Sequence, residues 1–254
     1  MTRPWQGAII AALWVWLETV QGAVSLSGTR LVFDGRYVEA SIEARNRDDR
    51  EVLLQVWLTD GLQENDAPDA PLPFVVTPHL LHLPGHGREQ LRVLYQGQGM
   101  PTDRESLLHL YALEIPRRAR GSQQLNIALR QRINVFYRPK DMPGDPALTP
   151  QALQWLRHTD GVLQLRNPTP FYATLQDIRV NGVQLSDYLL LAPGAGQDWP
   201  LPDAWAAATL SFKALNDYGG QLGYCTRLAR STAATAQPLA QDTFQTLQHN
   251  KEQC

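Results

Sequence analysis

Along residues 37–46 apolar and polar side chains alternate without a break. Val38, Ala40, Ile42 and Ala44 fall on one parity, and Glu39, Ser41, Glu43 and Arg45 on the other. A period of two is that of an extended strand with one face on a core and the other in water. The same reading predicts a strand over 24–33, closed by the turn pair Asp34-Gly35, and another over 52–59 with Trp57 as a core anchor. Further strands are predicted over 74–77, 88–95 and 107–114, with polar or Pro/Gly-rich turns and loops at 46–50 and 60–71. Residues 125–139, LNIALRQRINVFYRP, carry the longest pattern. Leu125, Ile127, Leu129, Ile133 and Val135 share one parity, and Asn126, Arg130, Arg132 and Asn134 the other. A strand of about twelve residues is roughly twice the usual length. So long an apolar strand either lies between two neighbours or leaves an edge in want of a partner. About seven strands at regular spacing, with no helical period among them, predict an antiparallel sandwich.

Residues 138–150, RPKDMPGDPALTP, hold four prolines and a glycine, the composition of a stiff linker at a domain boundary. Beyond them strands resume over 163–166 and 171–180, the latter ending at Asn181-Gly182, a strong hairpin signal. Shorter strands over 188–191, 209–213 and 223–228 complete a smaller β domain. From Ser231 the chain is polar and reads as a frayed tail, with a weak amphipathic pattern at 239–247. The organisation expected is an N-terminal sandwich over 23–138, a linker over 139–150, a second sandwich over 151–230 and a tail over 231–254.

The N-terminus changes the picture. Arg3 precedes an apolar run over 8–16, and Val20-Gln21-Gly22 then sets modest or small residues ahead of Ala23. That order is a secretory signal peptide over 1–22, too short to span a membrane as a helix. The mature protein is therefore expected to be exported and soluble, beginning near Ala23, with no membrane insertion. An oxidising compartment permits a disulfide between the two cysteines, Cys225 and Cys254, which is the reading favoured, with two free thiols as the alternative for so polar a tail. A net charge of −2 on 254 residues offers no broad basic field for nucleic acid.

Candidate chemistry is sparse. No phosphate loop, nucleophile elbow or paired-cysteine metal motif occurs, and Pro168 excludes Asn167 as a glycosylation acceptor. His79, His82 and His86 would share a helical face, but Pro78, Pro84, Gly85 and Gly87 forbid that helix, so an ordinary turn is expected. His109 lies among apolar neighbours and reads as a packing residue. Asp103 and Glu105 stand two apart near a strand start and read as local partners, not a catalytic pair. No enzyme, cofactor or metal site is expected.

At residues 125–139 the sequence resembles the last strand of the first domain in periplasmic pilus chaperones of the PapD type. Other segments agree in order: Gly28-Thr29-Arg30 with Phe33-Asp34-Gly35, FVVTP at 74–78, Arg104-Glu105-Ser106 with Glu114-Ile115-Pro116, NPTPF at 167–171 and NDYGG at 216–220. Together they span most of 24–220; the tail is not covered. The resemblance implies an all-β fold, two immunoglobulin-like sandwiches set as an L. It implies a chaperone that lends its own edge strand to subunits lacking a final strand, through Leu125, Ile127, Leu129 and Ile133. The alternative on strand pattern alone is that these side chains pack inside their own sandwich. Two basic residues grip the subunit's terminal carboxylate in such chaperones. Arg30 matches one; the other, a lysine in the family, falls on Asn134, with Arg132 two residues back on the same parity. Glu105, Arg138 and Asp217 match a charge cluster joining the two domains. Thr77-Pro78 matches a cis proline, and the connection over 116–124 is short, as in the branch that assembles rod-like pili. The implied partners are pilus subunits and an outer-membrane usher, with self-association through the open edge when free; the implied compartment is the periplasm. The rival reading is a structural or adhesive β-sandwich module of a surface organelle.

Overall fold

Alternating β-branched and aromatic residues give strands almost throughout a computed structural model that describes residues 22–61, 72–117, 127–202 and 208–239. The N-terminal half holds β1 (Val24–Leu26), β2 (Arg30–Asp34), β3 (Glu39–Asn46), β4 (Val52–Asp60), β5 (Phe74–Thr77), β6 (Leu80–Leu83), β7 (Arg88–Tyr95), β8 (Ser106–Pro116) and β9 (Leu129–Arg138). One sheet has the order β1-β3-β7-β5 and the other β2-β9-β8-β4-β6. Their inner faces enclose Phe33, Leu54, Val56, Leu91, Val93, Leu110 and Val135. Phe33 stands edge-on to Phe74 at 5.5 Å, a favoured aromatic geometry.

The strand expected over 24–33 is two strands. The chain breaks at 27–29 and changes sheets: β1 runs antiparallel to β3, while β2 runs parallel to β9. Ser27 makes the break, its Oγ accepting from Glu43 N–H at 3.0 Å and its own N–H donating to Glu43 O at 2.8 Å. Other expectations are corrected too. Val38 is exposed, because β3 begins only at Glu39. Trp57 is no core anchor: the inward parity of β4 belongs to Val52, Leu54, Val56 and Leu58, and Trp57 stacks on Tyr111 at 5.2 Å on the outer face. The run between Pro78 and Pro84, read as a turn, contains β6, paired with β4 from Val52↔Leu83 to Gln55↔Leu80. The Thr77–Pro78 peptide is cis.

A 3-10 turn (Pro146–Leu148) and helix α1 (Thr149–Ala152) lead into the second sandwich. Its strands are β10 (Gln154–Arg157), β11 (Val162–Arg166), β12 (Ala173–Val180), β13 (Val183–Leu191), β14 (Gly196–Pro200), β15 (Ala208–Leu215), β16 (Gln221–Leu228), β17 (Ala233–Ala234) and β18 (Gln237–Pro238). The sheets run β14-β11-β10-β17 and β13-β12-β15-β16-β18 around Trp155, Leu163, Leu175 and Phe212. Asn181 and Gly182 have φ of 51° and 79°, as a two-residue hairpin link between Val180 and Val183 requires. The segment after 230 is not frayed as far as Leu239: β17 and β18 close the edges and Ala236 is buried. The amphipathic pattern at 239–247 falls almost wholly outside the described residues. Cys225 is disulfide-bonded; Cys254, the other cysteine of the sequence, lies outside the described residues.

Each sandwich closes one corner with a buried asparagine. Asn46 Nδ2 donates to the carbonyls of Arg50, Leu83 and Pro84, and Asn167 Nδ2 to those of Phe171, Leu191 and Ala192. Their Oδ1 atoms accept from the N–H groups of Asp48 and Thr169. Truncation strands several buried carbonyls at once. Asn46→Ala and Asn167→Ala should each lower the unfolding free energy by about 2–3 kcal/mol in urea titrations, more than an exposed asparagine loses.

Candidate functional site

β9 is the element on which the site is built, and its two margins differ. Along one, β8 pairs with it from Ser106↔Tyr137 to Glu114↔Leu129. Along the other, β2 pairs only from Arg30↔Asn134 to Asp34↔Arg138. Residues 129–133 thus have no strand on that margin among the described residues. Side-chain parity tells the same story. Ile133, Val135 and Tyr137 are buried in the core of the first sandwich. Leu129 and Ile127, on the same parity, are 39% and 53% exposed. Ile133, expected among the lent side chains, is therefore a core residue, as the alternative reading had it. Leu125 lies outside the described residues.

The opposite parity of β9 faces the second sandwich. Arg138 donates Nε to Glu105 Oε1 at 2.7 Å and both terminal nitrogens to Asp217, at 2.8 and 2.9 Å. Phe136 packs against Tyr172 at 5.5 Å, and the Arg30 guanidinium lies over its ring. Asn134 Nδ2 donates to the Tyr188 hydroxyl at 3.4 Å. Arg132 is exposed, and Arg130 stacks over Tyr111. Between the sandwiches lies a cavity of about 290 Å³ lined by Arg30, Glu105, Phe136, Tyr172, Thr174 and Asp217, among others.

Backbone contacts fix how the two halves meet here. Glu105 N–H donates to Pro170 O at 2.9 Å, and Glu105 Oε2 accepts from Tyr172 N–H at 2.7 Å. Gly219, with φ of 80°, passes so close to Thr29 that a β-carbon would lie 2.6 Å from its Oγ1, so glycine is required for both reasons.

Burial and charge oppose each other at these groups. Burial pushes the Glu105 carboxyl above its usual range, and the charge of Arg138 and the Tyr172 N–H offset only part of that. For Arg138 burial disfavours the charge, but hydrogen bonds to Asp217 and the charge of Glu105 outweigh it and hold its pKa above the ordinary value. Both groups bear a desolvation cost, but it is left uncompensated only at Glu105, whose side chain is 3% exposed against 20% for Arg138. Arg30 is different. Burial lowers its pKa, with Tyr188, Asp217 and Glu105 compensating too weakly. Its Nη1 donates to Thr174 Oγ1 at 3.3 Å, while its buried Nε has no partner. A half-buried guanidinium short of counter-charge has the chemistry to accept an anion.

The structure thus joins Glu105, Arg138 and Asp217, and sets Arg30 beside Asn134 by strand register, with Arg132 one step outward. Tyr188, Thr174 and Tyr172 were missed. Tyr188 was read as the start of a short strand, whereas β13 begins five residues earlier and presents it on an exposed face. His109, across from Asn134 on β8, is buried with Nδ1 unpartnered, its pKa lowered by burial and then by Arg132. Among the described residues no group of three or more His, Cys, Asp or Glu side chains is arranged to hold a metal.

Comparison with known proteins agrees with this geometry. The model for the N-terminal domain of PapD-type pili and flagellar-assembly chaperones matches residues 23–143, and that for the C-terminal domain of PapD pili assembly chaperones matches 148–226. The chain is 32% identical over 233 residues to the chaperone protein FimB/FhaD of Bordetella pertussis, covering 87% of this chain and 93% of that one. Among solved structures it is similar to the Escherichia coli chaperone DraB, with a TM-score of 0.67, 29% identity and coverage of 84% and 95%. It is also similar to the Salmonella enterica SafB chaperone solved in complex with the SafA pilin, with a TM-score of 0.68, 25% identity and coverage of 87% and 98%.

The charge cluster is the tie most open to test. Arg138→Ala leaves Glu105 buried and unpaired, and should cost about 3–5 kcal/mol of stability. Asp217→Ala should cost about 1 kcal/mol or less, because the Asp217 side chain is 39% exposed. Urea unfolding measures both, and small-angle scattering should show a wider spread of shapes for the arginine variant alone.

Proposed function

The chain belongs to the PapD family of pili and flagellar-assembly chaperones, and from that membership we propose that it keeps pilus subunits folded by lending them the open end of β9 and passes them to an outer-membrane usher. The observation that carries this is the one-sided pairing of β9. Among the described residues no strand pairs with 129–133 on one margin, and Leu129 and Ile127 stand exposed beside it. An extended segment with one margin open to a further strand and alternating apolar side chains is what strand addition uses. Burying two such side chains contributes roughly 3–6 kcal/mol before the cost of association. Leu125 continues the parity and adds a third by sequence.

The half-buried Arg30 supports a grip on the subunit's terminal carboxylate. The neighbouring position holds neutral Asn134, whose amide is already turned to Tyr188. That bond uses the phenol oxygen as acceptor and leaves the Tyr188 hydroxyl proton free to donate. The carboxylate is thus held by one cation from the first sandwich and one neutral donor from the second. The role is one of binding, with no chemical step and no cofactor. Chaperones of this family act in the periplasm, and the order of residues 1–23 supports export with cleavage between Gly22 and Ala23.

Co-expression with candidate pilus subunits, followed by affinity capture and native mass measurement, tests the assignment: a stable one-to-one complex is expected. Leu129→Glu and Ile127→Glu should each abolish it while leaving the free protein folded by circular dichroism. Capture that survives both substitutions would refute the role of β9. Arg30→Ala should weaken capture by about ten- to a hundredfold, the loss of a charged hydrogen bond. Asn134→Ala and Tyr188→Phe should each cost about tenfold or less in the same titration; equal losses at Arg30 and Asn134 would refute the one-cation arrangement.

A further inference from the structure

Glu114, near the end of β8, is almost wholly buried. Its carboxylate accepts from two backbone nitrogens, Ala23 N at 3.1 Å on Oε1 and Val24 N at 2.9 Å on Oε2. Neither donor carries a charge, and neutral donors balance a buried carboxylate poorly. One of them is the nitrogen of the residue at which the exported chain begins. We propose that removal of residues 1–22 converts the Ala23 nitrogen into an α-ammonium that forms an enclosed ion pair with Glu114. This rests on the export reading given above.

The chemistry is simple hydrolysis by an endopeptidase of the export route. Water adds across the Gly22–Ala23 amide; its oxygen ends in the Gly22 carboxylate, and the released amine takes up a proton. In the folded chain the backbone around this nitrogen is held in place. Arg47 N–H donates to Ala23 O at 2.7 Å, and β1 pairs with β3 from Val24↔Asn46. Among the described residues, charged groups on the elements packed here include Arg47, whose Nε is taken by Ser25 Oγ at 2.8 Å, Arg45, opposite Ser25, and Arg130 and Arg132 on the opposite parity of β9. β9 presents neutral Gln131, which donates to Val24 O at 2.7 Å.

The same cut acts on the lent strand. A β-carbon built on Gly22 would collide with Cδ2 of Leu129 and lie 3.2 Å from Glu114 Oε2. An uncut chain therefore lays its backbone against one of the side chains offered to the subunit. Processing both supplies the counter-charge for Glu114 and uncovers Leu129.

The test uses the protein purified from the periplasm. Intact mass fixes the first residue, and a start anywhere but Ala23 overturns the export cut and the ion pair together. If the start is Ala23, the α-amino pKa is read from the pH dependence of its reductive methylation. It should lie about one unit or more above the ordinary value of about 7.7–8.0; an ordinary value overturns the ion pair while leaving the cut intact. Glu114→Gln should return it to the ordinary range. A chain made to retain Gly22 should show a lower urea midpoint than the mature form and weaker subunit capture. The loss should be present at neutral pH and vanish as pH rises through the folded value, because a raised ammonium pKa stabilises only while the group is protonated. Combining retained Gly22 with Glu114→Gln should cost no more than either alone. Should Glu114→Gln fail to fold, the comparison of retained Gly22 with the mature chain decides alone, and equal midpoints overturn the proposal.

Discussion

The parallel register between β2 and β9 is the constraint on which the rest depends. β2 reaches only from Asn134 to Arg138, so the remainder of β9 leaves the sandwich with one neighbour in place of two. Backbone groups must be satisfied somewhere. On the covered side, from Asn134 to Arg138, β2 pairs with the strand, and the side chains of Val135 and Tyr137 are core. Beyond it no described strand lies on that margin; Ile133, next to the boundary, is still buried, whereas Leu129 and Ile127 of the same parity are exposed. The break at 27–29 sets where the boundary falls. By sending β1 to one sheet and β2 to the other, it ties the sandwich together and stops β2 from covering more of β9.

Much of this was legible in the chain. Periodicity of two placed most strands. Parity alone could not separate Ile133 from Leu129, because the distinction lies in how close each stands to the end of β2, a long-range fact. Trp57 was misread for a related reason: burial was inferred from its size, whereas the alternation of Val52, Leu54, Val56 and Leu58 already assigned it to the outer face. The three-residue break around Gly28 and the four-residue strand β6 between Pro78 and Pro84 are too short to give a period to read. Tyr188 carried no local signal at all; its place beside Asn134 is set by the packing of one sandwich on the other.

The two faces of β9 divide the work between energy and geometry. The core parity supplies apolar area. The cleft parity sets, in order, Arg138 in its acid clasp, Phe136 on Tyr172, and Asn134 against Tyr188. Every second side chain thus engages the other sandwich before the strand runs free. The clasp is costly at Glu105 and cheap at Asp217, so it holds the angle between the halves more than it adds to their stability. That angle sets Arg30 of one half near Tyr188 of the other, the two groups proposed above to hold a carboxylate.

The distance between the receptor and the open margin has a consequence of its own. From Asn134, level with Arg30, to Leu129 is five residues of extended chain, about 17 Å. On the proposed seat at Arg30, a client would have to present its vacancy at that span, and on the correct parity. The strand would then work as a gauge, admitting proteins by the offset between their terminus and their gap.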